Sequence, residues 1–94
     1  MNTSAKGRRY ENKVRKILES AGFLVIRSAA SKGPFDIMAL ASPNYVKLIQ
    51  VKVNNLPSAV ERETLAYYAK KFPYASVECW IFKDSLKEPL IKTF

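Results

Sequence analysis

The sequence predicts an α/β fold in the order αβββαβ, a mixed central sheet covered by helices, and three observations carry that prediction. A long run with apolar residues at helical spacing opens the chain; three strand-like runs then follow with only turn residues between them; and a second helix, marked by a capping box, stands between the third run and a fourth. A meander that returns to its sheet through a helix must place the fourth strand by a crossover, which is why the sheet is expected to be mixed.

The first helix starts near Thr3 or Ser4 and carries Tyr10, Val14, Ile17, Leu18 and Ala21 on one face before Gly22 stops it. Its other faces hold Lys6, Arg8, Arg9, Lys13, Arg15 and Lys16, so it is apolar on one side and basic on the rest. Phe23 to Ala30 reads as a strand, Ser31 to Pro34 as a turn and Phe35 to Ala41 as a second strand that ends at Ser42-Pro43-Asn44. Tyr45 to Val53 is the third strand. Ser58 and Glu61 form the capping box of the second helix, whose Leu65, Tyr68, Ala69 and Phe72 share a face up to the stop at Pro73. Ser76 to Lys83 is the fourth strand, and Leu90 to Phe94 is either a short fifth strand or a tail.

A chain of 94 residues supports one domain, here 1–94, with a modest core. Sixteen Lys and Arg against eight Asp and Glu leave a formal charge of +8, which makes a polyanion the first partner to consider. Of nucleic acid and an acidic membrane, the membrane is the weaker fit, because the basic helix lacks Trp and carries no bulky apolar anchors beyond its core stripe. Apolar runs such as Phe23 to Ile26 are too short to cross a bilayer or to form a signal-peptide core, so an intracellular protein is expected. Cys79 is the sole cysteine and there is no histidine. That excludes an internal disulfide, the usual zinc sites and histidine-assisted nucleophiles, and leaves carboxylates, lysine and a hard cation as the available chemistry.

One group of residues has that composition. On the third strand Gln50 and Lys52 point the same way as Val46 and Leu48, while Lys47, Ile49, Val51 and Val53 take the opposite face. A polar pair ending an otherwise apolar face needs partners. Asp36, at the start of the neighbouring strand, is placed by antiparallel pairing beside Gln50. Glu11 lies seven residues before Leu18, roughly 20° from it around the helix, and borders the apolar stripe. Two carboxylates and an amide oxygen suit Mg²⁺ or Mn²⁺, and Lys52 beside them suits the orientation of a water or the stabilisation of a phosphodiester transition state. Each residue also has a plainer reading: a surface ion pair of Glu11 with Arg15, an Asp36 that bonds backbone amides at a turn exit, and Gln50 and Lys52 as a solvated strand end with the lysine guarding an exposed edge.

Asp36 followed by Gln50-Val51-Lys52, with Glu11 on the first helix, resembles the signature of the PD-(D/E)XK nucleases. The series Lys6-Gly7, Gly22-Phe23, Val25-Ile26-Arg27-Ser28-Ala29, Asp36-Ile37 and Ile49-Gln50-Val51-Lys52-Val53 resembles, in order and in spacing, the archaeal Holliday-junction resolvases. The resemblance covers about Lys6 to Lys83. It implies a restriction-endonuclease-like core and a metal-dependent endonuclease of branched DNA, acting as a homodimer. Asp36, Gln50 and Glu11 would hold the metal and Lys52 would be the catalytic lysine. Arg27 would contact DNA, with Lys6, Arg8, Arg9 and Lys32 binding phosphates and Ser28 and Ser31 lying near the same loop. Tyr68 and Phe72 would serve in packing or in the dimer. Position 50 is Gln where these resolvases usually have Glu, a Q-x-K variant also found among virus-type replication-repair nucleases. The resemblance is compatible with a less selective nuclease of flaps or single strands, and with a DNA-binding module that has lost catalysis.

Overall fold

The computed structural model describes residues 3–28 and 33–94, with the side chains of the first helix described from Gly7 onward. Helix α1 (Thr3–Ser20) leads into β1 (Leu24–Arg27), β2 (Ile37–Ala41) and β3 (Tyr45–Val53); α2 (Ala59–Lys71), β4 (Ala75–Phe82) and β5 (Leu90–Thr93) follow. The strands form one sheet in the order β1-β2-β3-β4-β5. The first three pair antiparallel, β4 runs parallel to β3 after the α2 crossover, and β5 returns antiparallel to β4. The αβββαβ order and the mixed sheet are as expected, and Leu90 to Thr93 adds a fifth strand.

The two helices cover opposite faces of the sheet. Val14 and Leu18 of α1 pack with Ile37, Ala39, Ile49, Trp80 and Phe82 in one buried cluster. Leu65 of α2 packs with Val77, Cys79 and Ile81 in the other, joined by Phe35, Leu48, Tyr68, Ala69 and Phe94. Alternate residues of β4 thus serve opposite cores, and this strand is buried on both faces from Val77 to Phe82. The α1 stripe is narrower than its spacing predicts: Ile17 is 46% exposed and Ala21 is exposed, because only the Val14 and Leu18 side lies flat on the sheet.

Helix α1 ends in a Schellman motif. Phe23 N–H bonds Leu18 C=O and Gly22 N–H bonds Glu19 C=O, both at 3.0 Å, with Gly22 at φ 96° where a side chain would be strained. Phe23 then packs into the same core as Leu18, which fixes the angle at which the chain enters β1. The first strand ends at Arg27 and not at Ala30, and Ala29 to Lys32 lie outside the described residues. β2 begins at Ile37, but Asp36 is already in the ladder: Ser28 N–H donates to its carbonyl and its own N–H donates to Ile49 C=O, each at 2.9 Å.

β3 is the middle strand of the five, so Lys52 does not guard a sheet edge and that plainer reading is overturned. Beyond Val53 the chain turns at Asn54 in a left-handed conformation, φ 58°. Asn54 N–H bonds Phe82 C=O at 2.7 Å, and its side chain exchanges two 3.1 Å hydrogen bonds with Asp84. Pinned in this way to the end of β4, the connection sets the start of α2 over the C-terminal end of β3.

Candidate active site

Asp36 is braced across two strands. Its backbone N–H is bound to Ile49, and its Oδ2 accepts a 2.8 Å hydrogen bond from Val51 N–H, so its carboxylate straddles Gln50. Backbone bonding at a turn exit is therefore part of what Asp36 does, but the amide comes from the neighbouring strand and locks the acid beside the Gln50-Val51-Lys52 run. Asp36, Gln50, Lys52, Glu61 and Thr64 line one pocket of about 410 Å³, closed on the loop side by Gly33 and Pro34.

Burial raises the Asp36 carboxyl above its ordinary value, against the opposing pull of the Val51 N–H and the Lys52 charge. Gln50 is buried, and its Oε1 accepts only a long 3.7 Å contact from the Cys79 thiol among the described residues. Burial pushes that thiol up to about 11, so it stays protonated at neutral pH and remains a weak donor. The amide oxygen is consequently underused by the protein. Lys52 Nζ lies 2.6 Å from Glu61 Oε2, a contact between the central strand and the first turn of α2.

Glu11 stands at the edge of this arrangement and outside the residues that line the pocket. Its carboxylate lies 3.7 Å from Arg27 Nε, and the pairing with Arg15 does not form, since Arg15 lies nearest Glu19 at 3.9 Å. Burial raises the Glu11 carboxyl, the negative charge of Asp36 raises it further, and Arg27 and Arg8 oppose the shift. The two acids therefore feel each other although one comes from α1 and the other from the start of β2. Arg27 and Ser28 are exposed at the end of β1, beside Asp36 in the ladder.

Arg8, Arg9, Lys13 and Lys16 line an open hollow of about 430 Å³ along α1 with Asn12. Arg9 and Lys13 both lie over the Tyr10 ring, at 5.6 and 4.9 Å from its centre, which stiffens these long side chains. The side chain of Lys6, and Ser31 and Lys32 altogether, lie outside the described residues. Tyr68 packs against the α2-side core, edge-on to Phe35 at 5.5 Å and stacked with Phe72 at 6.0 Å.

The family sequence model described as archaeal Holliday junction resolvase (hjc) matches residues 2–84. The chain belongs to that family. A solved structure of Archaeoglobus fulgidus Hjc, described as a Holliday junction resolvase from an archaeal hyperthermophile, superposes with a TM-score of 0.69 at 30% sequence identity. The alignment covers 95% of this chain and 71% of that one. A search of the curated proteins gave no match. The restriction-endonuclease-like fold expected from the Asp36 and Gln50-Val51-Lys52 series is thus the fold of this resolvase-family chain.

Resolvases of this superfamily are generally dependent on a divalent metal, and the donors around the pocket fit one. The candidates are oxygens only, one from a carboxylate destabilised by burial and one from an amide with a weak partner. Among the described residues no group of three or more His, Cys, Asp or Glu side chains comes together; the oxygen-bearing side chains that line the pocket with Asp36 are Gln50, Glu61 and Thr64. Glu61 and Thr64 were not singled out as site residues from the sequence. The signal was present in the four-residue connection from Val53 to Ser58: so short a loop after Gln50-Val51-Lys52 brings the first turn of the next helix back over that strand end.

Proposed function

We propose that this resolvase-family chain is an endonuclease that hydrolyses phosphodiester bonds in branched DNA at the pocket formed by Asp36, Gln50 and Lys52, with Mg²⁺ or Mn²⁺ as cofactor. The observation that carries this reading is the placement of Asp36, bound through both its backbone and its carboxylate to β3, in the same pocket as Gln50 and Lys52. Residues fourteen and sixteen positions apart meet only because the β2-β3 register brings them together.

Asp36 and Gln50 would hold the divalent cation, which when bound would supply Lewis-acid charge at the scissile phosphate. Lys52 contributes a fixed ammonium group that orients water and offsets charge developing in the transition state. Arg27 contacts the phosphate chain at the pocket rim, and Glu11 holds the guanidinium in place through their 3.7 Å ion pair. The hollow on α1 carries Arg8, Arg9, Lys13 and Lys16 along the DNA backbone, where such contacts position the duplex without reading sequence. Branch recognition in this reading is recognition of shape by a two-fold dimer that sets two pockets on symmetric strands.

The test is a cleavage panel of labelled four-way junction, flap, duplex and single-stranded DNA with Mg²⁺ and with Mn²⁺. Junction product is expected in preference to linear duplex product, and Asp36→Asn is expected to lower the rate by roughly 100-fold or more. Equal cleavage of flap and single strand would point to the less selective nuclease, and an Asp36→Asn variant as active as the parent would remove the pocket from the mechanism.

A further inference from the structure

The pocket as the family pattern draws it is short of negative charge. Asp36 contributes one carboxylate, Gln50 is neutral, and Lys52 adds a positive charge beside them, so the formal charges of these three groups sum to zero. Affinity for a divalent cation follows the charge count of its oxygen ligands, and a neutral set is a weak one. Resting on the cation-dependent reading above, we propose that Glu61, on the first turn of α2, supplies the second carboxylate of this centre in place of the acid absent at position 50.

Glu61 lines the same pocket as Asp36 and Gln50, and they are its only carboxylate and amide side chains among the described residues. Its carboxylate is used asymmetrically. Oε1 accepts the Ser58 N–H at 2.8 Å, which completes the capping box together with the 3.1 Å bond from Glu61 N–H to Ser58 Oγ. Capping needs no more than that, and a glutamine in the same place would satisfy it. Oε2 instead faces into the site, 2.6 Å from Lys52 Nζ. A capping residue that also contacts the lysine of the nuclease signature is placed for more than the helix end.

The support beneath Glu61 has the rigidity a ligand requires. Arg62 Nη1 donates to Pro57 C=O at 2.8 Å, Pro57 is buried, and Asn54 fixes the start of the connection to Phe82 and Asp84. Glu61 is therefore presented from a regular element with both carboxylate oxygens engaged, and not from a loose loop. The other acid of the signature, Glu11, lies outside the pocket lining. By position, Glu61 is the better second acid.

Mn²⁺ binding to the full chain without DNA, followed by electron paramagnetic resonance, separates this role from capping. The expected result is that Glu61→Gln keeps the parent's melting temperature within a few degrees, because Gln still caps the helix, yet weakens Mn²⁺ binding roughly 10- to 100-fold, as Asp36→Asn does. Glu11→Gln changes Mn²⁺ affinity less than either. Adding Gln50→Glu to Glu61→Gln restores the affinity, since the charge returns to the position the family usually uses. Mn²⁺ binding that is lost in Asp36→Asn but intact in Glu61→Gln overturns the role of Glu61 and leaves the cation-dependent reading standing. A parent that binds no Mn²⁺, with Asp36→Asn indistinguishable from it, overturns both. Failure of Gln50→Glu to rescue Glu61→Gln also counts against the proposal, because the defect would then come from Lys52 or the helix end and not from missing charge.

Discussion

At position 50 a neutral amide oxygen stands where resolvases that this sequence resembles usually carry a carboxylate, and the buried surroundings make that difference matter. Gln50 receives only the weak Cys79 donor, so Gln50→Glu would place a charge in a pocket that already holds Lys52 within its lining. The expected outcome is a gain of about tenfold in Mn²⁺ affinity, read by titration, with cleavage rising in parallel. A parent inert with every metal, beside a Gln50→Glu variant that cuts, would identify the natural chain as a DNA-binding module. Glu78 makes a different prediction, about stability. Burial raises this carboxyl, but hydrogen bonds from Lys47, from Ser76 Oγ at 2.6 Å and from Trp80 Nε1 at 2.8 Å outweigh it and hold it below its ordinary value. A group depressed in the folded state stabilises the fold above its unfolded value and loses that contribution as pH falls through the folded one. Glu78→Gln should therefore cost about 1–3 kcal/mol at pH 7, less than a fully buried pair because Lys47 reaches solvent. In thermal melts the gap between parent and variant should close as pH drops below the ordinary glutamate range, and a gap that persists there would show that packing, not charge, is responsible.

Among the elements, α2 links stability to the site. Its capping box joins Ser58 to Glu61, and Glu61 to Lys52, so a change at the helix start reaches the central strand. Ser58→Ala is expected to cost about 1 kcal/mol in denaturant unfolding and also to lower cleavage at saturating metal, because the helix start that carries Glu61 frays once no Oγ accepts the Glu61 N–H. Loss of stability with unchanged cleavage would confine Ser58 to capping. This helix was readable in the sequence because its cap and its apolar spacing agree; so was β3, whose expected bounds are those observed, since its alternation is bounded by Asn44 and Asn54. β1 was not. No turn cluster follows Arg27 until Ser31-Lys32-Gly33-Pro34, and as an edge strand with three of its four residues exposed it has little burial to mark where pairing stops. Ile17 was misread for a related reason: helical spacing gives the width of a stripe, while the flatness of the sheet decides how much of it is covered.

Across the whole molecule, the sheet register converts a scattered set of polar residues into one pocket, and this was legible only as far as local rules reach. Strand alternation placed Gln50 with Lys52, and antiparallel pairing placed Asp36 beside them. Glu61 was signalled only indirectly, by the short Val53–Ser58 connection that begins the crossover, and the withdrawal of Glu11 to the pocket rim required the position of Arg27, which no spacing contains. The basic surface is a second whole-molecule property. Arg8 is close enough to Glu11 to influence its titration, and Glu11 in turn to Asp36, so the charged hollow of α1 runs toward the edge of the pocket. If that surface binds the DNA backbone, binding must release counterions, and log affinity falls linearly with log salt with a slope of about −0.9 for each phosphate neutralised. Removing the two charges of Arg8 and Arg9 by alanine substitution should make the slope shallower by about 2 in total and weaken junction and linear duplex alike, because neither side chain reads bases. Asp36→Asn should leave the slope of binding measured without metal nearly unchanged, since it alters the pocket and not the phosphate contacts. Fluorescence anisotropy across a salt series checks both, and a double variant whose slope matches the parent would place the DNA path on a different face from α1.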